Sequence, residues 1–325
     1  MPAITRRTAL GASLGAVAFG RRATAQAAWP NRPVRIIVPF SAAGTTDIMA
    51  RILVEPLSAR LGQSVVVENR PGAGGNIGAE AVAKATDNHT LLMTTIGTAA
   101  INYGLYRTTM PYKPEDLVAV SNIAAVPNVI IAAPNLPVKS LQEAVALAKQ
   151  RSDGLTIASS GNGTSLHLTG ELWKQVAGIN LVHVPFRGSG PMLTEVIAGR
   201  VDLAVDNLPS SLGHIRDGRV RALAVTTPER SKAVPDVPTT REAGYPGLDA
   251  TAWFGVQAPA RMPAEIVQRL SQELQAIVKE PAVRARIEEQ GAEPVGDTPE
   301  HFAGFIQGEI DRWGEVIRKG NIQLD

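Results

Sequence analysis

From residue 34 onward, short apolar runs alternate with longer segments in which apolar positions recur every three or four residues. VRIIV at 34–38, VVV at 65–67 and TLLM at 90–93 read as buried strands, and 47–61 and 76–85 between them as helices. That βαβαβ order is the unit of a parallel sheet covered by helices. A second series follows: VIIAA at 129–133, a helix after Ser140 with Glu143 completing a capping box, LTIA at 155–158, and a helix from Thr164. It continues through LVHV at 181–184, a helix from Pro191, VDLAV at 201–205 and RALAV at 221–225. Pro191 and Pro263 stand where a first helical turn tolerates proline, and Gly62 and Gly291 where helices stop. Pro56 is the discordant residue, because inside the first long helix it removes a hydrogen bond near residue 52.

The last third differs: one strand-like stretch at 251–257 and then helical segments from Pro263, from Pro281 and over 299–319. Helices with an apolar face need a sheet to cover, so this segment is predicted to pack back on the first lobe. The expected organisation is α/β, with residues 28–125 plus 251–325 as a lobe discontinuous in sequence and 126–250 as a second lobe. Two crossings near 125 and 250 would form a hinge.

Bulk properties narrow the function. A chain of 325 residues is long for one ordinary core and suits two lobes. Four of the 32 basic residues, Arg6, Arg7, Arg21 and Arg22, fall in the first 25 positions, leaving 28 against 30 acidic residues. The body of the chain is slightly acidic, so the electrostatic footprint of a nucleic-acid binder is missing. Cysteine is absent, which excludes disulfides and thiolate metal sites. The five histidines show no metal-binding spacing, and no metal is expected. Residues 1–27 read as an export signal of twin-arginine type: ITRR, a weakly hydrophobic Ala/Gly/Leu stretch too short to span a membrane, then small residues placed for cleavage after Ala25 or Ala27. The periplasm is the expected location, by that route or the general secretory one.

Two strand-to-helix loops carry candidate chemistry. PFSAAGTTD at 39–47 either makes a tight turn capped by Asp47 or exposes backbone N–H groups at a helix start, where an anion binds without a basic side chain. SSGNGTSLH at 159–167 repeats the design, and one such loop per lobe suits a cleft. Asp206 ends the strand VDLAVD and would either accept a hydrogen bond from a ligand or cap the next helix. The glycine-rich NRPGAGGNIGAE at 69–80 lacks both the dinucleotide and the triphosphatase fingerprints and reads as a structural turn. A serine hydrolase would draw on Ser160 or Ser165 with His167. Two positions apart on a helix, Ser165 and His167 diverge, and the chain beyond the export segment has no G-x-S-x-G elbow.

Together, PF-x-x-x-G-T-T-D, VVVENRPGAGGNIGAE, SSGNG-x-x-x-H, VPFRGSGP, DVPTTREAGYPG and AWFGVQAPA resemble the Bug (Bordetella uptake gene) receptors, the substrate-binding subunits of tripartite tricarboxylate transporters. The resemblance runs from Trp29 to Ile322. It implies a hinged two-lobe periplasmic binding protein fold, type II-like. It implies a small carboxylate ligand (a dicarboxylate or tricarboxylate, an acidic amino acid or an aromatic acid), no cofactor, no catalysis, a monomer, and membrane transporter subunits as partner. A sensor serving a membrane kinase would use the same cleft. By position, the ligand-binding candidates are Phe40, Ser41, Thr45, Thr46, Asp47 and Thr98 from the first lobe, and Ser160, Gly163, Thr164, Ser165 and Asp206 from the second. Arg187 matches a basic position and reads as an interlobe loop residue. The first loop departs from the family, which usually has glycine where this chain has Ala43 and often proline at Ala42. If residue 43 takes positive φ, alanine costs something glycine does not. Asn88 also replaces a usual glycine, at a turn asparagine tolerates.

Overall fold

The computed structural model describes residues 29–320 and 322–323. The predicted export signal at 1–27 lies outside the described residues.

The first series folds as β1 (Val34–Val38), α1 (Thr45–Leu61), β2 (Val65–Asn69), α2 (Asn76–Ala83) and β3 (Thr90–Thr95). After β3 a π-helical turn, Gly97–Ile101, runs into the short α3 (Asn102–Leu105). β4 (Leu117–Ala132) is 16 residues long, far beyond the VIIAA stretch expected there. Then come α4 (Leu141–Gln150), β5 (Leu155–Ser159), α5 (Ser165–Ala177), β6 (Leu181–Pro185), α6 (Ser189–Ile197), β7 (Leu203–Asn207), α7 (Leu208–Arg216) and β8 (Arg221–Val225). The chain closes with β9 (Thr251–Pro259), α8 (Ala264–Lys279), α9 (Pro281–Glu289), β10 (Glu293–Pro294) and α10 (Pro299–Gly320).

Two sheets share one strand. In the first, β2, β1 and β3 run parallel, β3 pairs antiparallel with β9, and β9 with β4 from Leu117 to Pro127. The remainder of β4, Asn128–Ala132, pairs with β7 and β8 in the second sheet, where β6, β5 and β7 are parallel. β4 therefore crosses from lobe to lobe. The return crossing lies just before β9, where the Ala250 N–H donates to Thr226 O and the Thr226 N–H to Asn128 O, each at 3.0 Å.

Each lobe has its own core. Trp173, Leu141, Met192 and Val205 belong to the second. In the first, α8 and α9 set Leu270, Leu274, Ile277 and Ile287 against Met49 and Leu53 of α1 and Phe254 of β9. All four are fully buried, each worth about 1.5–3 kcal/mol of transfer free energy. α10 covers the opposite region, packing Phe302, Ile306, Trp313 and Ile317 on Trp253 and Ile101.

Helix ends follow local chemistry, with two corrections. Ser140 Oγ accepts the Glu143 N–H at 3.2 Å, while the Glu143 carboxylate takes the N–H of Lys139, one residue upstream of the expected partner. Gly62, at φ 67°, closes α1 by donating to Ser58 O. α1 runs through Pro56 without interruption. Its N-cap is Gly44, not Asp47, which sits inside the first turn. The helix starts early because Gly44 already has the extended backbone of a cap (φ −85°, ψ 165°).

Candidate functional site

Loops at the carboxyl ends of the parallel strands, where α/β sheets place their sites, converge where the lobes meet. Phe40, Gly44, Thr45 and Thr46 follow β1, and Thr95 and Ile96 end β3. Across from them stand Ser160, Thr164, Ser165 and Leu166 after β5, Gly188 and Ser189 after β6, and Asn207 at the end of β7. Ala252 and Phe254 of β9 complete the wall of a tight cavity of about 20 Å³.

Four helices begin on this cavity. α1 presents Thr45 and Thr46, α5 Ser165 and Leu166, α6 Ser189, and α7 its N-cap Asn207. The first N–H groups of a helix have no partner inside it, and the macrodipole adds about half a positive charge behind them. No lysine or arginine is among the residues lining the cavity. The positive potential there is built from main chain.

Side chains behind the wall hold these loops in place. Asp47 is buried and faces away from the space: one carboxylate oxygen accepts the Ala43 N–H at 3.1 Å and Arg51 Nε at 2.8 Å, the other Asn69 Nδ2 at 3.0 Å. Burial raises its pKa, but those hydrogen bonds and the Arg51 charge outweigh burial and hold it below the ordinary carboxylate value. Ala43 adopts φ 64°, the left-handed conformation in which alanine is strained. Asn88 likewise has φ 52°. Thr98 is fully buried beneath Thr95, whose N–H donates to its Oγ1 at 3.0 Å. On the other lobe, Thr164 Oγ1 caps α5 by accepting the His167 N–H at 3.2 Å. His167 Nδ1 accepts the Gly163 N–H at 3.3 Å, so that nitrogen serves the loop and not Ser165.

Asp206 also lies one layer back, fully buried. It accepts from Ser189 Oγ at 2.6 Å, Ser210 Oγ at 2.7 Å and Ser211 Oγ at 2.5 Å. Burial pushes its pKa up against the pull of these bonds and of the Asn207 N–H. The helix-capping alternative falls on Asn207 instead.

Of the sequence candidates, Phe40, Thr45, Thr46, Ser160, Thr164 and Ser165 reach the cavity, whereas Asp47, Thr98, Gly163 and Asp206 do not line it. Ser41 stands beside it, its N–H donating to Arg187 O of the other lobe at 3.1 Å. Arg187 lines a second space of about 200 Å³ with Tyr106 and the Gly72–Gly75 turn, sharing Phe40 and Ser160 with the first. The lobes are in contact, for Thr45 Oγ1 donates to Ser210 Oγ at 3.1 Å and Tyr106 OH to Asn162 O at 3.4 Å.

This architecture has known counterparts. The family described as tripartite tricarboxylate transporter family receptor (TctC) matches residues 49–322. The chain belongs to that family. BugT of Bordetella pertussis is 40% identical over 299 residues, covering 91% of each chain. Rpa4515 of Rhodopseudomonas palustris, solved with adipate, is 40% identical with a TM-score of 0.88 over 91% of this chain and 99% of that one. MatC of the same organism, solved with bound malate, is 33% identical with a TM-score of 0.84 over 89% of this chain and all of that one. The TctC receptor described here is thus a two-lobe periplasmic solute-binding protein, a binding receptor and not an enzyme. Among the described residues, no helix is long and apolar enough to cross a membrane.

Sequence reasoning expected helices from Pro191 and after Asp206 but did not bring the α6 and α7 starts to the cavity. The signal was present in VPFRGSGP and VDNLP, which are also strand-to-helix turns closing parallel strands. Thr95 and Ile96 carry no motif, and Ala252 and Phe254, though inside AWFGVQAPA, become wall residues only through sheet pairing.

Proposed function

We propose that this receptor captures a small carboxylate between its lobes and presents the closed form to the membrane subunits of a tripartite tricarboxylate transporter. The observation that carries the proposal is the convergence of four helix N-termini on one cavity that no basic side chain lines. Each terminus contributes about 0.3–1 kcal/mol toward an anion when exposed and up to ~2 kcal/mol when partly buried. Four together hold a carboxylate without the desolvation cost of a buried cation. Adipate and malate in the two Rhodopseudomonas structures support the same class. The ligand-binding residues are those reaching the cavity, with Asp47, Thr98, Gly163 and Asp206 positioning them. Residues 28–125 plus 251–325 move against 126–250 about the crossings in β4 and before β9. The receptor acts as a monomer, exported by its twin-arginine-like signal and lacking the first 25 to 27 residues when mature.

The test is thermal unfolding of the mature protein with citrate, malate, glutamate, adipate and benzoate. Ligand at 100 times Kd stabilises by about 2.7 kcal/mol, which at roughly 2–4 °C per kcal/mol is a rise of several degrees. A flat response to all five acids would overturn the proposal.

A further inference from the structure

Two polar oxygens of the first lobe are covered by glycines of the second. Ser41 Oγ, in the loop after β1, is buried with no hydrogen-bond partner among the described residues, and a Cβ built on Gly188 would overlap it. Asn102 Oδ1, at the start of α3, is likewise buried without a partner among them, and a Cβ built on Gly163 would overlap it. The Asn102 amide has one orientation: Nδ2 donates to Gly74 O at 3.1 Å, a carbonyl only accepts, and so the oxygen is the atom that meets Gly163. The Gly163 N–H cannot serve it, being directed to His167 Nδ1 at 3.3 Å. Both oxygens are covered too closely for water to touch them.

Contact between the lobes is what leaves them unpaired. The Ser41 loop is drawn across by its own N–H, which donates to Arg187 O at 3.1 Å, and that bond seats the hydroxyl against Gly188. With the lobes apart, Gly188 and Gly163 withdraw and each oxygen faces the cleft, where water donates to it. Closure removes that water and supplies no donor in its place. A polar group buried in this way costs more than an average hydrogen bond contributes.

We propose that Ser41 and Asn102 set the affinity of the receptor from outside the cavity, by making closure unfavourable until the contacts of a ligand outweigh the lost hydration of their oxygens. This rests on the lobe movement proposed above and deepens it. Neither residue lines the cavity, so the cost is the same for every ligand: the pair governs how tightly a ligand is held and not which one. The open form predominates until a ligand arrives, and the membrane subunits meet the closed form with cargo inside.

Ser41→Ala isolates the effect, since it removes the oxygen and no hydrogen bond of its side chain. Asn102 is less clean, because any replacement also loses the Nδ2 bonds to Gly74 and Asn76. The chain has no cysteine, so two introduced ones, at exposed positions of the two lobes, carry a dye pair for single-molecule energy transfer in the mature protein. In ligand-free Ser41→Ala the ratio of closed to open molecules is expected to rise about 5-fold or more, the scale of one relieved polar group. Calorimetry with citrate, malate, glutamate, adipate and benzoate should show any acid that binds the parent binding the variant more tightly by a similar factor. Ser41→Gly removes the same oxygen if the alanine variant fails to fold. An unchanged ratio overturns the inference, because the hydroxyl then has a donor in the closed form. Weaker binding overturns it as well, because the hydroxyl then touches the ligand. A raised ratio with all five acids silent supports the inference and sinks the carboxylate reading instead. A single population in both proteins, unmoved by any acid, sinks the lobe movement and this inference with it.

Discussion

Gly163 and Asn102 face each other across the interlobe cleft with no room between them: a Cβ on Gly163 would overlap Asn102 Oδ1 and lie 3.1 Å from Tyr106 Cε2. Asn102 cannot swing aside freely, because its Nδ2 donates to Gly74 O at 3.1 Å and to Asn76 Oδ1 at 2.7 Å. Gly163 also has φ +77°. The glycine that family resemblance marks as a ligand residue is, by its geometry, what lets the lobes meet.

Gly163→Ala is accordingly expected to hold the lobes apart and weaken ligand binding by about 10-fold or more. Left-handed strain alone costs about 1–2 kcal/mol, so the control is Gly178→Ala, with φ +60° and nothing within 4 Å of the added Cβ. Both variants should lose similar stability on heating, and only Gly163→Ala should lose affinity by calorimetry and stay extended by small-angle scattering in saturating ligand. Equal affinities in the two variants would remove the closure role.

Ala43 tests the opposite direction. At φ 64° it occupies the backbone state that glycine reaches without strain. Ala43→Gly should stabilise the protein by about 1 kcal/mol, the left-handed penalty less the larger entropy of glycine in the unfolded chain. The midpoint of thermal unfolding should rise by roughly 2–4 °C. A fall in the midpoint would show that the alanine methyl makes a packing contribution larger than its strain.

Where the sequence was legible, and where it was not, follows from how local each determinant is. Strands β1, β5 and β8 announce themselves as apolar runs bounded by turn residues, and Ser140, Thr164 and Gly62 mark helix ends by side-chain or backbone chemistry that acts within four residues. The first half of β4 does not. LVAVSNIAAVPN has a polar pair at Ser121–Asn122 and a proline, and its ladder to β9 shifts register twice. Its strand state is imposed by a partner more than a hundred residues later in the chain. The cavity was half legible for the same reason: two small-residue loops show in sequence, but the arrival of α6 and α7 beside them is tertiary. Asp47 and Asp206 were read as ligand contacts because a buried acid near a helix start looks the same in sequence whether it faces a ligand or the loop behind it.

Asp47 makes that distinction measurable through pH. Its folded carboxyl lies below the ordinary value of 3.8 because Arg51, Asn69 and the Ala43 N–H together outweigh its burial. A depressed carboxyl stabilises fully above the unfolded value and loses that contribution as pH falls through the folded one. Asp47→Asn should therefore cost about 1–2 kcal/mol at pH 7, by the scale of buried hydrogen bonds to charge, and progressively less toward pH 3. Urea unfolding of both proteins across that range gives the two curves. A difference that stays constant with pH would mean that the ionised carboxyl is not what braces the loop.

A buried carboxylate ties α10 to β9. Glu309 of α10 is buried, and its Oε2 accepts from Trp253 Nε1 on β9 and from Trp313 Nε1 on α10, both at 3.2 Å. An indole N–H is a donor only and has no second use inside a core. Glu309→Leu leaves two buried donors without an acceptor, at about 1–3 kcal/mol each, so thermal unfolding should move down by roughly 5–10 °C. Glu309→Gln keeps a carbonyl oxygen at the same place and should remain within about 1 kcal/mol of the parent. If leucine is tolerated as well as glutamine, α10 is held by its apolar face alone, by Phe302, Ile306 and Ile317 on Ile101 and Trp253, and the two indoles find water or another acceptor once the carboxylate is gone.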